Sequence, residues 1–253
     1  MRSWPILALG LVLSAGPAWA RQGRPDQNQA TSALSRQIVS YLEQRYAKNK
    51  NFADVHPSVN HHVVTLTGSV PDYRSKLEAE HEARQISSVD GVISHLVVNA
   101  PTVPDAVMEK QIAERLTYDR QYMGQIFNAL TVKVHNGVVT VGGEVLDYPD
   151  RDSALDIVDD TDGVKGVIDH IQVAPLSPMD DQIRFMAARA IYGNPQFERY
   201  AINPAHPIRI VVLNGHVTLE GVVNSEVDKT AAGMAVSSIP GVFSVKNNLQ
   251  VVR

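Results

Sequence analysis

The sequence predicts an α+β chain built from three tandem copies of one small domain. Three observations predict it. A strand-like block, Val64-Thr65-Leu66-Thr67-Gly68-Ser69-Val70, recurs as Val139-Thr140-Val141-Gly142-Gly143-Glu144-Val145 and as Val217-Thr218-Leu219-Glu220-Gly221-Val222-Val223, at offsets of 75 and 78 residues. A second block keeps the same offsets, with Ser88 through Val98 falling on Gly163 through Val173 and on Gly241 through Val251. Proline-stiffened links, Ala100-Pro101-Thr102-Val103-Pro104 and Ala174-Pro175-Leu176-Ser177-Pro178, separate the copies. The predicted domains span residues 34–101, 105–175 and 179–253.

Within a copy the order reads helix, strand, strand, helix, strand. The first helix has apolar positions at helical spacing: Leu34, Ile38, Leu42 and the stem of Arg45; Met108, Ile112 and Leu116; Ile183, Ala187 and Ile191. A hairpin follows, and its second strand is the repeated valine-threonine block, whose alternation suits a half-buried strand. Asn136-Gly137 and Asn214-Gly215 are dipeptides of a type I′ turn, in which both central residues need positive φ. Copy one has His61-His62 there, which predicts a strained turn or one of another type. The repeated Gly68, Gly143 and Gly221 lie inside the strand pattern and point to a bulge or a close backbone approach. Asp72, Asp147 and Ser225 then align as N-caps of a second helix. Its buried stripe is Ala79, Ala83, Ile86; Ala154, Val158, Thr161; Ala232, Val236, Ile239.

The N-terminus reads as an export signal over residues 1–20. Arg2 precedes an apolar run from Ile6 to Val12 and Leu13, and Ala18-Trp19-Ala20 offers small residues for cleavage after Ala20. The run is shorter than the roughly 20 residues of a permanent span. An uncleaved anchor or a buried helix is the alternative. Residues 21–33, polar and rich in glutamine, read as a mobile leader. The chain has no cysteine, so neither a lipoprotein anchor nor a disulfide frame is expected. These features predict a periplasmic or secreted protein with no transmembrane segment after cleavage.

The repeats resemble the BON (bacterial OsmY and nodulation) domain. The resemblance rests on Val-Thr-Leu-x-Gly-x-Val, a capped helix, and then Gly-Val-x-x-Val-x-Asn-x-Leu. Copy three matches best, through Gly221, Gly241, Val242, Val245, Asn247 and Leu249. Copy two keeps Gly143, Gly163, Val164, Val167 and Ile171, while copy one departs with Ser88 in place of the second-turn glycine. The resemblance implies αββαβ domains, each a three-stranded mixed sheet against two helices. It also implies an envelope-associated, non-enzymatic protein tied to osmotic or other envelope stress, with anionic phospholipid as a ligand.

No catalytic constellation is legible: there is no nucleophile elbow, phosphate loop or zinc-protease motif. Nothing in the sequence calls for a cofactor or a metal. His61-His62 read as an exposed turn, the aligned His95 and His170 as structural, and the run Asp147, Asp150, Asp152, Asp156, Asp159, Asp160, Asp162 as a solvated helix face. The net charge of −4 argues against nucleic acid as a partner. Charge is uneven, with +1 over residues 21–101, −7 over 102–178 and +1 over 179–253. The outer copies are therefore the better partners for an anionic membrane.

Candidate lipid or partner contacts lie between the first helix and the hairpin, where aromatic and basic residues mix: Tyr46, Lys48 and Lys50 in copy one, Phe197, Arg199 and Tyr200 in copy three. Copy two has Tyr118, Arg120, Tyr122, Met123 and Phe127 there. The rings of Phe52, Phe127 and Tyr200 could equally close the core. The expected function is binding of anionic phospholipid or another envelope component in support of envelope integrity. The alternative is a chaperone-like or scaffolding protein that binds polypeptide at sheet edges.

Overall fold

A computed structural model describes residues 27–118, 126–202 and 207–252. The expected signal segment lies outside them. The first unit runs α1 (Gln27–Tyr46), a 3-10 turn (Lys50–Phe52), β1 (Asp54–Asn60), β2 (Val63–Val70), α2 (Tyr73–Arg84), β3 (Gly91–Ser94) and β4 (Val97–Val98). The second runs α3 (Asp105–Tyr118), β5 (Ala129–His135), β6 (Val138–Val145), α4 (Tyr148–Asp159) and β7 (Gly166–Val173). The third runs α5 (Pro178–Tyr192), a 3-10 turn (Pro195–Phe197), α6 (Glu198–Ile202), β8 (Arg209–Leu213), β9 (His216–Glu220), β10 (Val222–Val223), α7 (Glu226–Ser237), β11 (Ser244–Asn247) and β12 (Gln250–Val251). Helix α1 begins at Gln27, so residues 27–33, expected within the leader, are helical.

In every unit the hairpin strand carrying the repeated block is central. It pairs antiparallel with the strand before it and parallel with the last strand. The last strand is unbroken in unit two and interrupted in units one and three. The register holds across each break (Leu66↔Ser94 then Ser69↔Val97; Leu219↔Asn247 then Val222↔Gln250), so each pair of short strands is one strand with a gap.

The helices bury the expected stripes over one face of each sheet. Ile38, Leu42, Met108, Ile112, Ile183, Ala187 and Ile191 are buried. Arg45 is a correction: it is exposed and pairs with Glu82 at 3.2 Å, and Tyr46 fills the core position. Tyr46 continues the four-residue spacing of Leu34, Ile38 and Leu42. On the second helices Ala79, Ala83, Ala154 and Ala232 are fully buried, and small side chains there let helix and sheet approach closely. Asp72, Asp147 and Ser225 cap these helices as expected, accepting from the N–H of Ser75, Asp150 and Asp228 at 2.7, 2.8 and 3.0 Å.

The strand glycines mark a close approach. A Cβ on Gly68, Gly143 or Gly221 would lie 1.7, 2.0 or 2.6 Å from the carbonyl oxygen of Asp54, Ala129 or Pro207. All three have φ between 108° and 128°.

The His61-His62 turn is not of another type. Both residues have positive φ (47° and 66°), as do Asn136-Gly137 and Asn214-Gly215, so the strained alternative is the one realised. Its strain is matched by a second change. In units two and three, a Cβ on Gly137 or Gly215 would lie 3.1 or 2.9 Å from the carbonyl oxygen of Gly163 or Gly241, which themselves have φ of 88° and 90°. Unit one replaces both glycines, with His62 and Ser88. Ser88 leaves the left-handed region, and its carbonyl lies 2.9 Å from His62 Nδ1. The bond from the second turn back to the hairpin survives in all three units, as Asp90 N–H to His62 O, Lys165 N–H to Gly137 O and Phe243 N–H to Gly215 O. Units two and three add a carboxylate clamp. Asp105 accepts from the N–H of Asn136 and Gly137, and Asp180 from those of Asn214 and Gly215, all within 3.0 Å. The amides of Asn136 and then Gly137 hold the Asp105 carboxyl below its ordinary pKa. Helix α1 has no acidic residue in its first turn to do the same.

Neighbouring units dock on one another. Tyr73, at the start of α2, packs against the core of unit two. Arg74 reaches the C-terminal end of α4, where it lies 3.3 Å from Asp156 Oδ1 and donates to the Asp156 carbonyl at 3.1 Å. A helix C-terminus favours a cation there. Arg115 ties the same end inward, donating to Ile157 O and Thr161 Oγ1. Burial pushes Asp159 up to about 6, with Arg74 pulling it down and Asp156 pushing it up. At the other junction Phe127 packs against the core of unit three, and the edge strands β5 and β8 are neighbours.

Two outcomes follow from this geometry. Gly143→Ala, which sets a methyl against the Ala129 carbonyl, lowers the urea unfolding free energy by about 2–4 kcal/mol. Asp159 has a raised pKa when docked, so its charged form opposes docking: the junction strengthens as pH falls through 6 and gains nothing more below about 4. Asp159→Asn removes that rise between pH 7 and 5 and is more stable than the parent at pH 7, as read by urea midpoints at the two pH values.

Candidate functional site

The structure divides the six expected contact residues into two kinds. Tyr46, Phe197 and Tyr200 are core residues, which corrects their assignment as lipid contacts. Tyr46 donates to the Ala79 carbonyl at 2.7 Å and meets Phe52 edge-on at 5.2 Å. Phe197 is fully buried. Tyr200 donates to Asp228 at 2.8 Å and accepts from the Asn224 N–H at 2.8 Å. Asp228 also accepts from Gln196, and these bonds, Gln196 first, hold its carboxyl below the ordinary range. Rings that close the open end between first helix and sheet must satisfy their hydroxyls inside, and these do. Lys48, Lys50 and Arg199 are exposed. The copy-two residues Arg120, Tyr122 and Met123 lie outside the described residues.

The other sequence candidates disperse. His95 and His170 are exposed on the outward side of the last strand. His56 lies 3.5 Å from Asp54, whose other oxygen accepts from Ser69, an order of contacts that gives serine no base. Among the described residues no group of His, Asp or Glu is placed to hold a metal ion. The acidic run is only partly a solvated face. Asp147 is a cap, and Asp156 and Asp160 meet Arg74 from the neighbouring unit.

A feature missed by sequence reasoning is an apolar tip on unit three. Met179 and Phe243 are 61% and 77% exposed, and Leu176 is fully so. Met179 and Phe243 flank the turn beside the start of α5, and Leu176 precedes that helix in the chain. Met179 Sδ lies 3.7 Å from the Cβ position of Gly241, the Phe243 ring covers Gly215, and Asp180 holds that turn. The equivalents of Phe243 in the other units are Asp90 and Lys165, so the tip belongs to unit three alone. Arg199 follows the C-terminal end of α5, at the opposite end of the unit. The signal was legible only as a hydrophobic residue at a turn where its two copies are charged.

The second feature is a groove of about 450 Å³ between units two and three. Its walls are the outward faces of their sheets, with Thr131 and Glu144 on one side and Arg209, Thr218, Lys246 and Asn248 among those on the other.

Sheet edges are poorly available for an added strand. The edges β5 and β8 face each other, and β3–β4 and β11–β12 are interrupted. Edge strand β1 carries Pro57, which has no N–H to offer, and Tyr73 reaches the amide of Val167 on β7.

The repeated unit, with its capped second helix, strand glycine and fixed parallel register, matches the BON domain over residues 31–100, 104–175 and 180–253. The chain belongs to the BON domain family. BON domains bind phospholipids, occur in envelope-associated and typically periplasmic proteins, and are in general non-catalytic. Among curated proteins this BON chain has no match. Two solved structures are similar to it. CdsD, a structural protein of the type III secretion system of Chlamydia trachomatis, is 14% identical, with 85% of this chain and 91% of that one covered at a TM-score of 0.25. The C-terminal domain of the same protein is 14% identical, with 86% and 96% covered and the same TM-score. Among the described residues no helix is long and apolar enough to cross a membrane.

A core role for Tyr200 has a direct check. Tyr200→Phe removes the hydroxyl from Asp228 and from the Asn224 amide, and lowers the stability of the third BON domain by about 1–3 kcal/mol in urea. A ligand-contact role would leave stability unchanged.

Proposed function

We propose that the chain is a non-enzymatic, exported envelope protein that binds phospholipid at a membrane surface and supports envelope integrity under osmotic or other stress. The apolar tip of the third BON domain carries this reading. Phe243 and Met179 are exposed at one turn, with Leu176 exposed just before the helix that carries Met179, on a fold whose family binds phospholipid. Exposed apolar side chains grouped at one rim suit an interface with lipid. Their supports are rigid, because the turn beneath them is held by the Asp180 carboxylate. The exposed Lys48, Lys50 and Arg199 supply a preference for anionic headgroups from other parts of the molecule. The signal-like sequence of residues 1–20 supports a periplasmic destination. The middle domain, at −7, serves as the connector.

Co-sedimentation with anionic and neutral vesicles across a salt series tests this. The chain binds anionic vesicles more tightly, and salt weakens that preference. Replacing Phe243 and Met179 by Ser lowers binding to both vesicle types by about tenfold or more, the worth of one large buried side chain. Neutralising Lys48, Lys50 and Arg199 erodes the preference for anionic vesicles and leaves the rest. Absence of binding to either vesicle at low salt would overturn the lipid reading.

A further inference from the structure

The groove between the second and third BON domains has a composition that the lipid reading does not use. It is bounded by two sheets set edge to edge, fixed by Phe127 in the core of domain three and by the β5–β8 approach. Its volume of about 450 Å³ falls within the range of small-molecule sites, roughly 300–1,000 Å³. No aromatic side chain lines it, so it has no stacking platform for a sugar or a base. Its apolar lining is small and scattered, Leu130, Val211 and Val222 with Ala129, so it has no channel for an acyl chain.

What it does have is charge of both signs, with Arg209, Lys246 and Glu220 all on the domain-three wall. Glu144 stands on the domain-two side and Lys246 on the domain-three side. Among the described residues neither has a hydrogen-bond or ion-pair partner for its side chain, and they do not pair with one another. Thr218 neighbours Lys246 in register on the floor, beside Asn248, which donates to Glu220 at 2.6 Å. The repeats sharpen the contrast. At the position of Lys246 the other two units carry Ile93 and Ile168, both about half-exposed. At the position of Glu144 they carry Ser69 and Val222. Lys246 thus brings charge to the groove where both its copies are apolar and lie outside it, and Glu144 stands opposite its own neutral copy, Val222, within the groove.

We propose that the groove between the second and third domains binds a compact zwitterion, with its anionic group at Lys246 and its ammonium at Glu144. Two ligand chemistries share that pattern, a carboxylate with an ammonium, as in short peptides, and a phosphodiester with an ammonium, as in an ethanolamine headgroup. Thr131, Thr218 and Gln250 supply hydrogen bonds between the charged ends. The site is distinct from the apolar tip. It occupies the Arg209–Glu220 and Val211–Thr218 rows of the sheet, whereas the tip adjoins the Leu213–His216 row at the far end.

Titration of the full chain with diglycine and with glycerophosphoethanolamine, followed by calorimetry and by backbone amide NMR shifts, tests the proposal. At least one zwitterion binds saturably and moves the amides of residues 129–131, 144, 209–211 and 246–250, while N-acetylglycine and glycinamide, with one charge each, bind about tenfold more weakly or worse. Binding by glycerophosphoethanolamine alone identifies a headgroup as the source, and binding by diglycine alone identifies peptide ends. Lys246→Gln and Glu144→Gln each weaken binding about tenfold and leave thermal unfolding unmoved, since neither side chain has a partner to lose. Lys246→Glu abolishes binding, and adding Glu144→Lys restores it. No saturable binding of either zwitterion, or binding indifferent to these variants, would overturn the proposal.

Discussion

Each unit depends on the parallel pairing of its central strand with its last strand. The partners are 28 residues apart in all three copies: Val63↔Gly91, Val138↔Gly166 and His216↔Ser244. A parallel pair cannot be closed by a tight turn, so the chain must cross over the sheet, and it does so through the second helix. The constant separation fixes the rest: the cap after the glycine, the alanines that seat the helix, and the turn that re-enters the sheet. The strand glycine belongs to the same constraint. Its close approach to the carbonyl of the preceding strand leaves no room for a side chain in any copy.

The first unit shows how the design tolerates change. His62 and Ser88 stand where both other units have glycine, and each alone would be awkward. A side chain at position 62 crowds the next turn, and a serine at position 88 resists the left-handed conformation. Together they fit one another, because Ser88 keeps a negative φ and its carbonyl lies 2.9 Å from the imidazole Nδ1 of His62. The bond from Asp90 to His62 then forms as it does in the other copies. Glycine in units two and three, and the histidine–serine pair in unit one, are two solutions of one packing problem.

Junctions explain the uneven charge. The middle BON domain carries most of the acidic excess, and part of it meets Arg74 from the domain before. The end of α4 is already the negative end of a helix, so Asp156 and Asp160 add to a field that the arginine answers. Docking also protects edges, since β5 and β8 face one another and Tyr73 lies against β7. A chain of small mixed sheets would otherwise offer six edges to its neighbours. The surfaces left open are the outward sheet faces, the helix faces and the apolar tip, and it is on these that binding is proposed.

Periodicity and repetition made the fold legible in the sequence. Apolar spacing, the caps at Asp72, Asp147 and Ser225, the Asn-Gly turns and the strand glycines are local properties, and three copies let each be checked against two others. Two kinds of helix position were misread: Arg45 for Tyr46, a single-residue slip in phase, and Ile86, Thr161 and Ile239, which are expected on the second helices and follow their last residues. The candidate site was not legible in the same way. Aromatic and basic residues between helix and hairpin look alike whether they face lipid or close a core, and only burial separated Tyr46, Phe197 and Tyr200 from Lys48, Lys50 and Arg199. The apolar tip joins residues 176, 179, 215 and 243, and the groove joins two domains. Sequence alone therefore determined the repeated unit and its internal order. Tertiary structure decided which faces meet, because contact between distant residues depends on packing that no local pattern encodes.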